Sequence, residues 1–500
     1  MYAADQRLIA ESPTTAQSVV DPTDPELAVA PGALINGVWQ RHDLTLPVTD
    51  PEDGHLLGYV ADSSPEDVAA AVTGVLESLA TDDWPLWARS ECLHRAARML
   101  EQQAPRFAHL IASEGVKTIT EAEREVARGV ETLRLSAEAG VFLTGETLPF
   151  AASQRGGNRV GWFTREPVGV VAALTSFNDP LNLVAHKLGP ALIAGNGVVL
   201  KPSEHTPLTS LALVELLVSA GMPTRRTAVV CGRARTGLAL VTDERIALVS
   251  FTGGPRTAAK ITAAAGPRKM LMELGGNNPT IICADALLSP AAEAVVDGAF
   301  GVAGQNCLSV QRVYVHASVY DEFLRQTVAL TSRLTTGSKR DPGTDVGPLV
   351  SEAEAQRVEE WVRKAVADGA TVHTGGARRG AFYEPTVLTD VAEGAQVLTD
   401  EIFGPVVTII PFEDVAGAVS AANQSDYALQ AGVFTQSVET AFAVSAQLVV
   451  GSVVVNGTSD LRVDSMPFGG FKGSGIGREG VRYAVEAMTE PKNTIVNLVS

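Results

Sequence analysis

The sequence predicts an α/β protein of two or three domains, the first of them doubly wound, and three observations carry that prediction. From Glu166 to Cys283 apolar runs alternate with helical periods, and the runs Val168 to Leu174 and Val198 to Leu200 are nearly unbroken, as strands buried on both faces must be. After Glu273 the same alternation begins again, which points to a second α/β unit. The 500 residues exceed what one core holds, and 45% hydrophobic, 19% charged and 5% aromatic residues describe an ordinary folded chain.

The first 30 residues carry Asp, Glu, Pro and Thr in place of a basic start and an apolar run, so a mobile N-terminal extension is expected there, not a signal peptide. Short strands are expected over Ile35 to Trp39 and Leu56 to Ala61. Ser64, followed by Pro65 and Glu66, reads as a helix start, with Val68, Val72 and Val75 at helical spacing. Further helices are expected over about Arg89 to Glu114 and Thr120 to Ala139, and the polar, Gly-rich piece Gly145 to Gly161 breaks the pattern as an extended excursion. Helices over Leu183 to Ile193 and Thr206 to Ala220 alternate with strands at Ala228 to Val230 and Leu248 to Phe251. That is a dinucleotide-binding type of domain, although GxGxxG is absent. In the second unit, Pro290 to Gly304 is read as helix, Val310 to Val315 as strand, and Val319 to Leu334 and Ala355 to Asp368 as helices. Strands follow near Val387, at Val406 to Pro411 and at Ser452 to Val455, then the glycine-crowded PFGGFKGSGIGREG, and Asn493 to Val499 alternates as an edge strand would.

A net charge of -18 argues against a nucleic acid or an anionic membrane surface as partner, since both need clustered Lys and Arg. Cys92, Cys231, Cys283 and Cys307 show no CxxC spacing, so neither a disulfide framework nor a metal site is expected, and a reducing, cytoplasmic location is. No apolar run approaches the length of a membrane span.

Four spots carry chemistry. Cys307, between Gly304 and the strand Val310 to Val315, is placed as a nucleophile held against rigid structure, although a buried cysteine there is equally a small hydrophobe. Asn178 in TSFNDPLN follows a buried strand and opens a helix, where its amide either donates to a developing oxyanion or caps the helix. Lys201 and Glu204 in KPSE stand at a strand end, as ribose contacts or as an exposed ion pair. Glu273 in MELGGNNP is a carboxylate in an apolar setting, either a general base with a raised pKa or a structural cap on backbone amides. FTGG at Phe251 to Gly254 places two glycines between a strand and a helix, where backbone amides can meet a phosphate.

Together FNDPLN, GNGVVLKPSE, FTGG, MELGGNNP, GQNCLSVQRV, EIFGPVV and PFGGFKGSGIGRE, in this order, resemble the aldehyde dehydrogenase superfamily from about residue 31 to 497. The resemblance implies the aldehyde dehydrogenase fold: a Rossmann-like NAD-binding domain from 31–144 and 162–274, an α/β catalytic domain over 275–485, and a small β oligomerisation element from 145–161 and 486–500. It implies a homodimer or homotetramer that oxidises a small-molecule aldehyde. Cys307 then forms a thiohemiacetal, Asn178 and the Cys307 amide make the oxyanion hole, and Glu273 activates the water that hydrolyses the thioester. Lys187 matches a lysine kept near that asparagine. Lys201 and Glu204 match the adenosine-ribose contacts, with Ser203 beside them also on the cofactor, Gly253 the phosphate-facing turn, and Glu401 and Phe403 the nicotinamide-ribose clamp. Glu204 suits a free ribose 2'-hydroxyl, so NAD is expected over NADP, which stays possible if the carboxylate swings away.

Departures from the family pattern set the expected substrate. Asp179 stands where an aromatic is common, His186 where a tunnel tryptophan often sits, Asn306 precedes the nucleophile, and Arg128 and Arg462 fall at tunnel positions. A polar tunnel for a short polar or anionic aldehyde follows, because Arg forks suit carboxylate, phosphate or phosphonate. The alternatives are a solvated helix face for Arg128 and a loop salt bridge with Asp460 or Asp464 for Arg462. Gly301 and Asn306 replace the arginine of the succinic-semialdehyde and non-phosphorylating glyceraldehyde-phosphate types, and the motifs look nearest to lactaldehyde-type and phosphonoaldehyde-type dehydrogenases. A broad-specificity enzyme, a thiol hydrolase without a nucleotide and a catalytically silent scaffold are the competing readings.

Overall fold

The computed structural model describes residues 32–498, and the extension expected over residues 1–30 lies outside them. Two open sheets organise the chain. In the first, the strands run in the order Val38–Gln40, Ala33–Ile35, Thr227–Val229, Gly197–Lys201, Val170–Leu174, Ile246–Thr252, Lys269–Glu273 and Gly475–Ile476. The five strands from Thr227–Val229 to Lys269–Glu273 are parallel. Val170–Leu174, the first of these five in sequence, lies in the middle, so the connections wind to opposite sides of it and leave a crevice at the carboxyl ends of Val170–Leu174 and Ile246–Thr252.

The second sheet runs Thr371–Thr374, Thr386–Thr389, Val406–Phe412, Val310–His316, Asn278–Ile282, Gln430–Phe434, Ser452–Val455, parallel except at the first pair. Both are covered by helices, and Val171, Ala173, Val198 and Leu200 are fully enclosed, which is why these stretches carry no polar alternation. A third, three-stranded sheet pairs Thr489–Asn497 antiparallel with Arg159–Pro167, and that strand with Glu146–Thr147.

Helix starts follow local chemistry. Ser64 and Asp67 form a capping box on Pro65–Thr81, and Thr118 and Glu121 another on Ile119–Glu138. Asn182–Ala194 ends at Gly195, whose φ of 94° is the left-handed value glycine tolerates.

Several boundaries differ from the sequence reading. Ile35 to Trp39 is not one strand but the tip of a hairpin, turned at Asn36 and Gly37 with φ of 53° and 76°. Arg89 to Glu114 is two helices, Leu86–Gln102 and Ala104–Glu114, because Pro105 lacks the amide hydrogen a continuous helix needs. The expected helix over Pro290 to Gly304 stops at Phe300. The excursion after Gly145 continues as strand to Pro167, and the chain returns to the first sheet already at Gly475–Ile476, before the expected limit of the second domain at 485. Among the described residues no helix is long and apolar enough to cross a membrane.

Candidate active site

The crevice between the two large sheets opens into a cleft of about 820 Å³. It is lined by the segment after Val170–Leu174, by the FTGG turn, by Glu273 at the end of its strand, and by the loop that carries Cys307.

That loop is held in an unusual backbone path. Val302, Ala303 and Gly304 all take left-handed conformations, with φ of 55°, 52° and 68°, a geometry that costs about 1–2 kcal/mol at each non-glycine residue. Partners from several elements enforce it. The Val302 amide donates to Glu121 Oε1 at 2.7 Å, and Gln305 Nε2 donates to the carbonyls of Val302 and Pro348 at 3.2 Å each. A Cβ on Gly304 would lie 2.2 Å from the Gly404 carbonyl oxygen. On the far side Asn278 Nδ2 donates to the Cys307 carbonyl at 2.8 Å. Cys307 is thus fixed in the cleft and half-buried, packed with Leu308, Leu429 and Phe468. Burial pushes its thiol pKa up, against the pull of Arg462, so the resting group is the neutral thiol.

Asn178 faces the same cleft, and its side-chain amide has no hydrogen-bond partner among the described residues. It caps nothing: the helix begins at Asn182, and the amides of Leu181 and Asn182 donate to Glu125 Oε1 at 2.8 and 3.0 Å.

Glu273 is buried and its Oε2 has no partner. Burial, then the neighbouring Glu479 carboxylate, pushes its pKa well above the carboxylate range. Burial also opposes charge on Glu479, but Lys187 at 2.9 Å and Arg462 at 3.0 Å outweigh it and hold that carboxyl at about 2. Lys187 therefore does not reach the cleft; its ammonium lies between Glu479 and Ser250.

At the other end, the helix Pro255–Ala265 starts at Gly254 with no side-chain cap, and a Cβ on Gly254 would meet nothing within 4 Å, so its amide end is open to a phosphate. Gly253 precedes it and donates its amide to the Glu273 carbonyl at 3.1 Å. Phe403 lines the cleft edge-on to Phe177, and Glu401 Oε1 accepts from the Gly276 amide at 3.0 Å, its pKa raised to about 7 by burial. Lys201, Ser203 and Glu204 lie outside the cleft, beyond the strand next to Val170–Leu174. There Glu204 is half-buried, 3.7 Å from Lys201. Uncapped amides and a half-buried, solvent-reachable carboxylate along one sheet edge fit a dinucleotide.

The tunnel residues form a charged network. Arg128 donates to Asp464 at 2.9 and 3.4 Å and stands 3.5 Å from Asp179, so it is neither a solvated face nor a free fork. Asp179 is also in contact with Lys117, which pairs with Glu125 at 2.7 Å. The close partner of Arg462 is Glu479, with Asp464 only at 4.0 Å. Asn306 donates to Asp460 at 2.6 Å. His186 does not line the cleft: it is buried behind it with Nε2 2.8 Å from Asp464, because the helix Asn182–Ala194 turns that position away from the opening. Six residues that line or brace the cleft escaped the sequence reading: Lys117, Glu121, Arg124, Glu125, Asp464 as partner of Arg128, and Glu479. The signals available were the i, i+3, i+4, i+7 spacing of Glu121, Arg124, Glu125 and Arg128, and the acidic residue inside GIGREG.

A model described as the aldehyde dehydrogenase family matches residues 39–494. The chain is 43% identical over 455 residues to aspartate-semialdehyde dehydrogenase 1 of Pseudomonas canavaninivorans, covering 91% of this chain and 97% of that protein. It is 42% identical over 468 residues to 3-sulfolactaldehyde dehydrogenase of Priestia aryabhattai, covering 93% and 98%. The structure of NADP-dependent glyceraldehyde-3-phosphate dehydrogenase from Bacillus halodurans complexed with NADP matches with a TM-score of 0.91 at 35% identity, covering 94% of this chain and 99% of that one.

Proposed function

The chain belongs to the aldehyde dehydrogenase family, and on that premise we propose that it oxidises a short polar or anionic aldehyde to its carboxylic acid with a nicotinamide dinucleotide, preferring NAD. The observation that carries this reading is the convergence of Cys307, an uncommitted Asn178 amide and a neutral Glu273 on one cleft. The names of relatives that act on semialdehyde, sulfonated and phosphorylated aldehydes support the anionic class.

The Cys307 thiol must first lose its proton to solvent water in the cleft. Arg462 favours the thiolate, and sulfur then adds to the aldehyde carbon to give a thiohemiacetal whose oxyanion takes hydrogen bonds from Asn178 Nδ2 and the Cys307 amide. When bound, the dinucleotide supplies a hydride acceptor. Lys201, Ser203 and Glu204 would hold its adenosine ribose, Gly253 and the open helix end its phosphates, and Glu401 and Phe403 its second ribose. Glu273, once ionised, takes the proton from the water that attacks the resulting thioester, releasing the acid and restoring the thiol.

A homodimer or homotetramer belongs to the same reading, since Thr489–Asn497 pairs on one side only and leaves an exposed edge.

The test follows NADH absorbance with lactaldehyde, succinic semialdehyde, phosphonoacetaldehyde, phosphonoformaldehyde and benzaldehyde, beside Cys307→Ala. Turnover of the short polar and anionic aldehydes and none in the variant is expected. Turnover of benzaldehyde alone would overturn the substrate class, and activity in Cys307→Ala the mechanism.

A further inference from the structure

Four basic side chains line the cleft, Lys117, Arg124, Arg128 and Arg462. Three of them are committed. Lys117 is held by Asp179 and Glu125, Arg128 by Asp464 and Asp179, and Arg462 by Glu479. Drawing any of these toward a ligand would take one of its partners from a buried carboxylate, which is unfavourable. Arg124 has no hydrogen bond or ion pair among the described residues.

Its place is set by the helix Ile119–Glu138. Glu121, Arg124, Glu125 and Arg128 share the face turned to the cleft, and one turn, about 6 Å of rise, separates Arg124 from Arg128. Arg124 is exposed, so it stands at the mouth while Arg128 is half-buried further in. The charge of the deeper wall points the same way. Burial opposes ionisation of Asp179, but Lys117 and Arg128 keep it a carboxylate, and a carboxylate facing the cleft repels an anion.

We propose that Arg124 is the specificity-determining residue that takes the substrate's anionic group, a carboxylate, sulfonate or phosphonate at the end opposite the aldehyde, and that Arg128 is a positioning residue. This rests on the reading of the protein as a dehydrogenase of anionic aldehydes. The aldehyde reaches Cys307 while the anion stays at the mouth, so the substrate is a chain with its two functional groups at opposite ends.

The experiment compares kcat/KM for succinic semialdehyde and for butanal, which lacks the carboxylate, in the natural protein, Arg124→Gln, Arg124→Lys and Arg128→Gln, each followed also by thermal melting. Arg124→Gln is expected to lose on the order of 10- to 100-fold with succinic semialdehyde, mainly through KM, and to change butanal by less than about twofold at an unchanged Tm. Arg124→Lys should keep most of the preference. Added salt should erode the preference of the natural protein for the anionic aldehyde, and Arg124→Gln should have little left to erode. Arg128→Gln should lower both substrates together and lower Tm. An Arg124→Gln enzyme that keeps its preference, or an Arg128→Gln enzyme that alone loses it at full Tm, overturns the assignment while the anionic class stands. No preference in the natural protein overturns both.

Discussion

The amide of Glu479 donates to Oε1 of Glu273 at 3.3 Å, and the two buried carboxyl groups that meet there rest in opposite states. Glu479 is charged because Lys187 and Arg462 flank it; Glu273 is neutral because burial and that neighbouring charge both disfavour its ionisation. In the proposed role of general base, Glu273 becomes competent only as pH rises through its elevated pKa.

Glu273→Gln should therefore lower steady-state turnover by about 100- to 10,000-fold while a first-turnover burst of NADH survives, since acylation does not use this carboxyl. The natural enzyme's kcat should rise with pH on its acid side, and the variant's residual rate should lose that limb. Stopped-flow absorbance across a pH series reads both. Stability behaves inversely: a carboxyl whose folded pKa is raised contributes stability below its unfolded pKa and loses it as pH climbs through the folded value.

Glu479→Gln removes the counter-charge shared by Lys187 and Arg462, a change that costs about 3–5 kcal/mol for a broken buried pair. Here the sign reverses, because a carboxyl held near 2 stabilises above its unfolded value of 4.5 and loses that contribution as pH falls between the two. Urea unfolding at neutral pH should show the loss, and a series below pH 4.5 should show a shallower acid dependence in the variant.

Asn178→Ala should reduce kcat/KM by about 100- to 1,000-fold, the range seen for an oxyanion donor, with Tm unchanged because the amide holds no partner in the resting fold. Glu125→Gln weakens the acceptor at the start of Asn182–Ala194 and should lower Tm. A fall in Tm for Asn178→Ala would return that residue to a structural role.

Glu204→Gln should move the ratio of NADP to NAD use upward by on the order of tenfold, since the carboxylate no longer opposes a 2'-phosphate. Coenzyme saturation curves with one aldehyde measure it.

Much of this was legible because burial writes itself into local sequence. Val170–Leu174 and Gly197–Lys201 are enclosed on both faces and read as apolar runs, and Asn182–Ala194 announces its end through Gly195. Arg159–Pro167 was hidden because it is mostly exposed, and its partner Thr489–Asn497 lies more than 300 residues away in the chain. The site divides in the same manner. Cys307, Asn178 and Glu273 sit at strand ends and turns that local pattern marks, whereas the state of Arg128 depends on Asp464, Arg462 on Glu479, and Asp179 on Lys117. Such pairings between distant side chains leave no local trace, so an arginine held by carboxylates and one left open look alike in a string of letters.

The Glu121 carboxylate has a consequence for motion. One oxygen accepts from Thr118 in its own capping box, and the other holds the amide of Val302, five residues ahead of Cys307, across the gap between the two sheets. A single side chain thus ties the wall of the cleft to the aim of the sulfur. Any hinge that widens the opening by swinging Ile119–Glu138 outward must either drag Val302 with it or release it from its left-handed path. The width of the mouth and the position of the Cys307 loop are therefore coupled through one carboxylate.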